Sequence, residues 1–160
     1  MIDPCLDKND TACLLQRLDR ESRWAVGTIH KTLVQMRALV EASYPEARRA
    51  DAYGSWGPEA AAATPEAMFE TFCNKRRCMR SIADGFGAVA SISDNGKDRV
   101  LLRTIRGGTF EMAKYDGQWG LALFQEELKS AKLRFIDSLK QVEKNARAFE
   151  EQRRATGSAQ

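Results

Sequence analysis

The sequence is short of the residues that ordinarily carry chemistry. Histidine occurs once, as His30, and none of the four cysteines, Cys5, Cys13, Cys73 and Cys78, forms a Cys-x-x-Cys pair. A zinc site would need all four thiols, or three of them with His30, at gaps of seven and four intervening residues. Those gaps are foreign to the usual ligand spacings, so neither a metal nor a cofactor is expected. No nucleophile motif and no glycine-rich phosphate loop after a strand is present, which predicts a non-enzymatic protein. Gly85-Phe86-Gly87-Ala88-Val89-Ala90 has the spacing of a dinucleotide fingerprint. It follows a helical pattern and precedes a strand pattern, the reverse of the order such a site needs. No apolar run reaches the roughly eighteen residues of a membrane span. The net charge of +3 is too small, and too little concentrated, to argue for nucleic acid. The first residues, Met-Ile-Asp-Pro-Cys, have neither the charged nor the apolar region of a signal peptide.

What is present reads as one folded unit. Hydrophobic residues make up 43% of the 160 positions and charged ones 29%, a balance that sustains a single core. We expect one α+β domain over residues 1–154 and a flexible tail over 155–160. The even cysteine count fits two disulfides, with Cys5–Cys13 and Cys73–Cys78 favoured among three connectivities. Residues five apart in a straight helix lie about 8–9 Å apart, too far for a disulfide. A bond between Cys73 and Cys78 therefore requires the helix to stop or bend between them. Two disulfides imply a periplasmic or secreted protein whose leader has been removed ahead of Met1. The alternative is a cytoplasmic protein with four reduced thiols.

Along the chain, residues 1–9 are expected to be extended, because Asp3 precedes Pro4. A long helix then runs from Asn9 or Asp10 to about Tyr44, before Pro45. Leu15, Leu18, Val26, Ile29, Leu33, Met36 and Val40 form its apolar stripe. Gly27 marks a kink or a close crossing. Trp56 sits in a loop rich in glycine and proline, as a plug against the body or as a recognition residue, the plug being favoured. Thr64-Pro65-Glu66 is a helix start, with cap, N1 proline and acidic first turn. This second helix turns Phe69 and Phe72 inward. Lys75, Arg76, Arg77 and Arg80 follow. They form a patch for an anion or an acidic partner, or a solvated helix end, the latter being favoured.

Four strands are expected after Gly87, over 88–93, 99–106, 109–115 and 118–124. Two-residue turns at Gly107-Gly108 and Asp116-Gly117 would set their register. Ile105 then faces Phe110, and Lys114 faces Trp119. One face collects Leu101, Ile105, Phe110, Met112, Trp119, Leu121 and Leu123. Arg103 falls among them, an arginine that must be paired or solvated through a cleft, or that snorkels to an edge or is moved outward by a bulge, the last two being favoured. Gln125 to Arg153 is a helix in which Leu128, Phe135, Val142 and Phe149 recur every seven residues, a seam for the first helix. The fold class is thus α+β, with long N- and C-terminal helices and a second helix on a four-stranded antiparallel meander.

The late strands, RVLLRTIRGG-TFEMAKYDGQWGLA with their Asp-Gly-x-Trp turn, resemble those of exported members of the ketosteroid-isomerase-like, or cystatin-like, cone fold. That resemblance implies a helical layer closing a curved sheet, with a pocket between them. The acidic base and oxyanion-hole residues of its isomerases have no counterpart here. Two functional classes follow. The favoured one is an exported, disulfide-stabilised protein-interaction or structural module that meets an unknown protein partner or a second copy of itself. The other is a binder of a small apolar ligand or lipid, its wall formed by Phe69, Phe72, Phe110, Met112, Trp119 and Leu121, with Arg103 as polar anchor.

Overall fold

The computed structural model describes residues 2–157. It joins a helical body to a four-stranded antiparallel sheet of order β1-β2-β3-β4. The chain opens with α1 (Asp3–Asp7), not with the extended segment expected. Pro4 lies in the first turn, where its missing N–H leaves no bond unmade. The expected first long helix is in fact two, α2 (Thr11–Arg17) and α3 (Arg20–Ser43). Leu18 between them is extended, and Asp19 caps α3 by accepting from Ser22 N at 3.2 Å. The break has a tertiary cause. Asp19 N donates to Leu121 O at 2.8 Å, so this link lies alongside the sheet as a parallel bridge.

After α4 (Glu46–Tyr53), a 3-10 turn (Gly54–Trp56) and α5 (Gly57–Ala60), the chain enters α6 (Pro65–Arg76). Thr64 caps α6 as expected, accepting from Ala67 N at 3.2 Å. Trp56 is half-buried against the core, edge-on to Tyr53, which fits the plug reading. Arg77 takes a left-handed conformation, φ +52°, and separates α6 from α7 (Cys78–Gly85).

The strands are β1 (Val89–Asp94), β2 (Arg99–Thr104), β3 (Thr109–Tyr115) and β4 (Gln118–Leu121). The Asp116-Gly117 turn and the pairs Met112–Leu121 and Lys114–Trp119 are as expected. The β2–β3 turn is not. A three-residue loop, 105–107, closes it: Gly107 N donates to Thr104 O at 3.0 Å and Thr104 N to Gly108 O at 2.9 Å. Gly107 supplies the left-handed residue at φ +81°, the form such three-residue loops take. Gly108 belongs to the strand end, wedged against Gly85. The register consequently shifts by three residues, so that Leu102 faces Phe110 and Val100 faces Met112. An odd shift moves every β2 side chain to the opposite face.

The chain ends in α8 (Gln125–Gly157), four residues longer than expected. Residues 158–160 of the expected tail lie outside the described residues. α3 and α8 run parallel, side by side. Ser22 Oγ donates to Leu123 O at one end, and at the other Ser43 Oγ donates to Glu150 at 2.7 Å while the Tyr44 ring meets Phe149 at a tilt of 60°. Val26, Ile29, Leu33, Met36 and Val40 are buried with Leu128, Ala131, Val142 and Ala146, the seam read from the seven-residue pattern. Gly27 produces neither kink nor crossing, since α3 is continuous and a Cβ there would have nothing within 4 Å. Gly27→Ala is therefore expected to stabilise the protein by about 0.5–1 kcal/mol. Urea unfolding checks this, and a lower midpoint would show a contact the geometry does not contain.

Candidate functional site: an open apolar sheet face

The sheet is closed at one edge and open at the other. At β4 the Leu18–Asp19 link seals the edge. Gly120 permits this: a Cβ there would lie 2.6 Å from Asp19 Cα and 2.8 Å from Leu18 O. At β1 no further strand is paired among the described residues, and all six of its residues are exposed. Val-Ala-Ser-Ile-Ser-Asp contains no lysine and no proline, the residues that commonly protect an edge. A bulge between Val89 and Ser91 leaves Ser91–Asp94 as the regular stretch.

One face of this sheet is apolar. Ile92, Leu102 and Phe110 stand in one row across three strands, and Val100, Met112 and Leu121 in the next. Burial fades along the first row. Phe110 is 7% exposed, Leu102 is half-buried and Ile92 is 65% exposed. A cavity of about 270 Å³ lies on this face, where Phe86 of the α7–β1 link and Arg17 of α2 join the strand residues. Phe86 meets Phe110 edge-on at 5.5 Å. Lys114 lies 5.7 Å from the centre of the Trp119 ring at the rim.

Four of the expected wall residues, Phe110, Met112, Trp119 and Leu121, therefore come together. Arg103 does not join them. It is exposed on the opposite face, because the three-residue loop turns β2 over, and the same reversal puts Leu102 and Thr104 where Leu101 and Arg103 were expected. The cation that does line the cavity is Arg17. Phe69 and Phe72 are buried in α6 and line a separate groove among the helices. Sequence reasoning missed Leu102, Arg17 and Ile92. Reading Thr-Ile-Arg-Gly-Gly as a three-residue loop with Gly107 left-handed would have found Leu102. Nothing local signals Arg17.

On the opposite face Arg99 pairs with Glu111 at 2.6 Å, and this partner holds the guanidinium above its ordinary pKa. Arg20 stacks over Tyr115 at 3.9 Å.

The cysteines divide. Cys5 and Cys13 are bonded, joining α1 to α2 across 5.3 Å between Cα atoms. Cys73 and Cys78 are free and buried, which corrects the expectation of a second disulfide. The helix break that such a bond requires is nevertheless present, at Arg77. Each thiol is the largest influence on the other, raising the pKa of Cys73 and lowering that of Cys78. Burial adds to the rise of Cys73 and opposes the fall of Cys78, where nearby Arg76 also favours the thiolate. Alkylation of the denatured, unreduced protein is expected to label two cysteines, Cys73 and Cys78, and all four after reduction. Mass spectrometry showing no label before reduction would place a second disulfide in the purified protein.

The basic patch is dispersed. Lys75 pairs with Glu59, Arg76 stacks on Phe72 at 3.9 Å, and Arg77 forms the break. Arg80 lies exposed on α7. Nε2 of His30 is 3.0 Å from the Ala62 carbonyl. Among the described residues no three His, Cys, Asp or Glu side chains are grouped to hold a metal ion, and no helix is long and apolar enough to cross a membrane. No family model, no curated protein and no solved structure matches the chain.

Proposed function

We propose that the protein is an exported, non-enzymatic interaction module that adds an extended partner segment to the open edge of β1. The observation that carries this reading is the pairing of an unpaired edge, regular over Ser91–Asp94, with an apolar face that reaches it, Ile92 standing 65% exposed at the boundary. Strand addition takes affinity from main-chain hydrogen bonds and specificity from pockets for alternate side chains. The cavity on this face borders β1 at Val89, where such a side chain would enter. The partner segment is therefore extended, with apolar residues at every second position and few charges. The Cys5–Cys13 disulfide, a bond that persists in oxidising compartments, supports export.

Selection of random peptides on the immobilised protein tests the reading. Peptides of alternating apolar pattern are expected, and Ile92→Lys is expected to weaken their binding about tenfold or more. The substitution is on the surface, so stability should stay within about 0.5 kcal/mol. Peptides that bind both forms equally would contradict edge recognition.

A second reading rests on the same cavity: its 270 Å³ could take a small apolar molecule in place of a side chain. Native mass spectrometry of protein purified from its own host separates the two, because a retained small molecule adds a discrete mass.

A further inference from the structure

A second concavity lies on the helical body, between α3, α5, α6 and α8. It encloses about 380 Å³, within the range of small-molecule sites, roughly 300–1,000 Å³. Its floor is apolar, formed by Val26, Phe69, Phe72, Leu128 and Phe135. Its rim is charged and unbalanced. Lys75, Arg76 and Arg134 line it together with a single carboxylate, Glu59. Lys75 is committed to Glu59 Oε1. Arg76 and Arg134 lie over the Phe72 and Phe135 rings, and neither forms an ion pair among the described residues. Glu59 Oε2 is buried and has no hydrogen-bond partner among the described residues, although a carboxylate oxygen out of water needs donors. An apolar floor, two guanidinium groups without an ion pair among the described residues and one unsatisfied acceptor define a complementary molecule.

We infer that this groove binds an amphiphilic carboxylic acid whose head also carries a hydrogen-bond donor. The apolar chain lies on the phenylalanine floor. The carboxylate meets Arg76 and Arg134, whose planar forks suit it. A hydroxyl or ammonium on the head donates to Glu59 Oε2. The same cations reject an amphiphile with a positive head. The inference does not depend on the sheet face, which is built from other elements.

Isothermal titration calorimetry with 2-hydroxydecanoate, below its micelle concentration, tests it on the full chain. Saturable one-to-one binding is expected, tighter than that of decanoate, which lacks the donor. Combined Arg76→Gln and Arg134→Gln should weaken it at least about tenfold, the loss expected for charge-assisted bonds. Both arginines are exposed, so the melting temperature should hold. If it falls, Arg134→Gln alone is used and several-fold weakening is expected. Glu59→Ala should abolish the preference for the hydroxy acid. The inference is overturned by binding weaker than about 1 mM, or by equal affinity in the arginine variants. It is also overturned if Trp119→Ala abolishes binding while the arginine variants keep it, which would move the site to the sheet.

Discussion

Gly108→Ala is expected to lower the melting temperature by about 6–12 °C. A Cβ on Gly108 would stand 2.1 Å from the Gly85 carbonyl oxygen and 2.8 Å from the Phe110 ring. The nearest of these atoms is backbone, so no rotamer relieves the clash. The contact joins the end of α7 to the β2–β3 turn, and Thr104 Oγ1 holds the same place by donating to Gly85 O at 2.6 Å. Separating these segments breaks that bond and shifts Phe110 in the core. Overpacking of this kind reaches about 3 kcal/mol, and each kcal/mol shifts a chain of this size by about 2–4 °C. Gly107→Ala is the control. It has open space around it and only a left-handed φ of +81°, so about 1–2 kcal/mol is expected. Circular dichroism melts compare the two. Equal shifts would mean that the Gly85–Gly108 approach is looser than the geometry states.

Phe69→Ala is expected to cost about 3–5 kcal/mol, the usual result of emptying a buried phenylalanine site. Phe69 is fully buried in α6. Its ring lies 6.0 Å from Phe72, and Phe72 meets Phe124 at the start of α8. The residue thus ties α6 to the α3–α8 pair from below the helical groove. Leu133→Ala gives the contrast, because Leu133 is 54% exposed and a change within about 0.5 kcal/mol is expected. Urea unfolding read by both fluorescence and circular dichroism measures the two. A loss below about 1 kcal/mol at Phe69 would mean that neighbouring side chains collapse into its space.

Where local chemistry decides the structure, it could be read directly. Thr64-Pro65-Glu66 starts a helix, Asp116-Gly117 turns a hairpin, and the seven-residue pattern from Leu128 to Phe149 builds the α3–α8 seam. Where distant segments decide, it could not. Leu18 has a side chain suited to helix, yet the chain breaks there because Asp19 N bonds Leu121 O, 102 residues on. A cue existed, since Asp19 and Glu21 form a cap with an acidic first turn. The sheet face failed on one residue of loop length. Gly107 and Gly108 are both glycine for different reasons, one for its left-handed backbone and one for its closeness to Gly85. Taking them together as one turn reversed β2 and carried Arg103 to the wrong face. The residues of β3 and β4 were unaffected, which is why Phe110, Met112, Trp119 and Leu121 do meet while Arg103 does not.

The Cys73–Cys78 pair shows the opposite pattern. The covalent expectation differs from the structure, and the backbone expectation agrees with it. Arg77 breaks the helix where two cysteines five residues apart need it broken, and both thiols are left free and buried.

The claim that β1 and its apolar border receive a partner strand is tested most directly by site-specific photo-crosslinking in the native host. A photoreactive residue at Ile92 is compared with one at Lys144, exposed on α8. The account predicts a discrete adduct from Ile92, mapping to an extended apolar-alternating segment of one protein, and none from Lys144. No adduct from Ile92, or the same adducts from both positions, would contradict it.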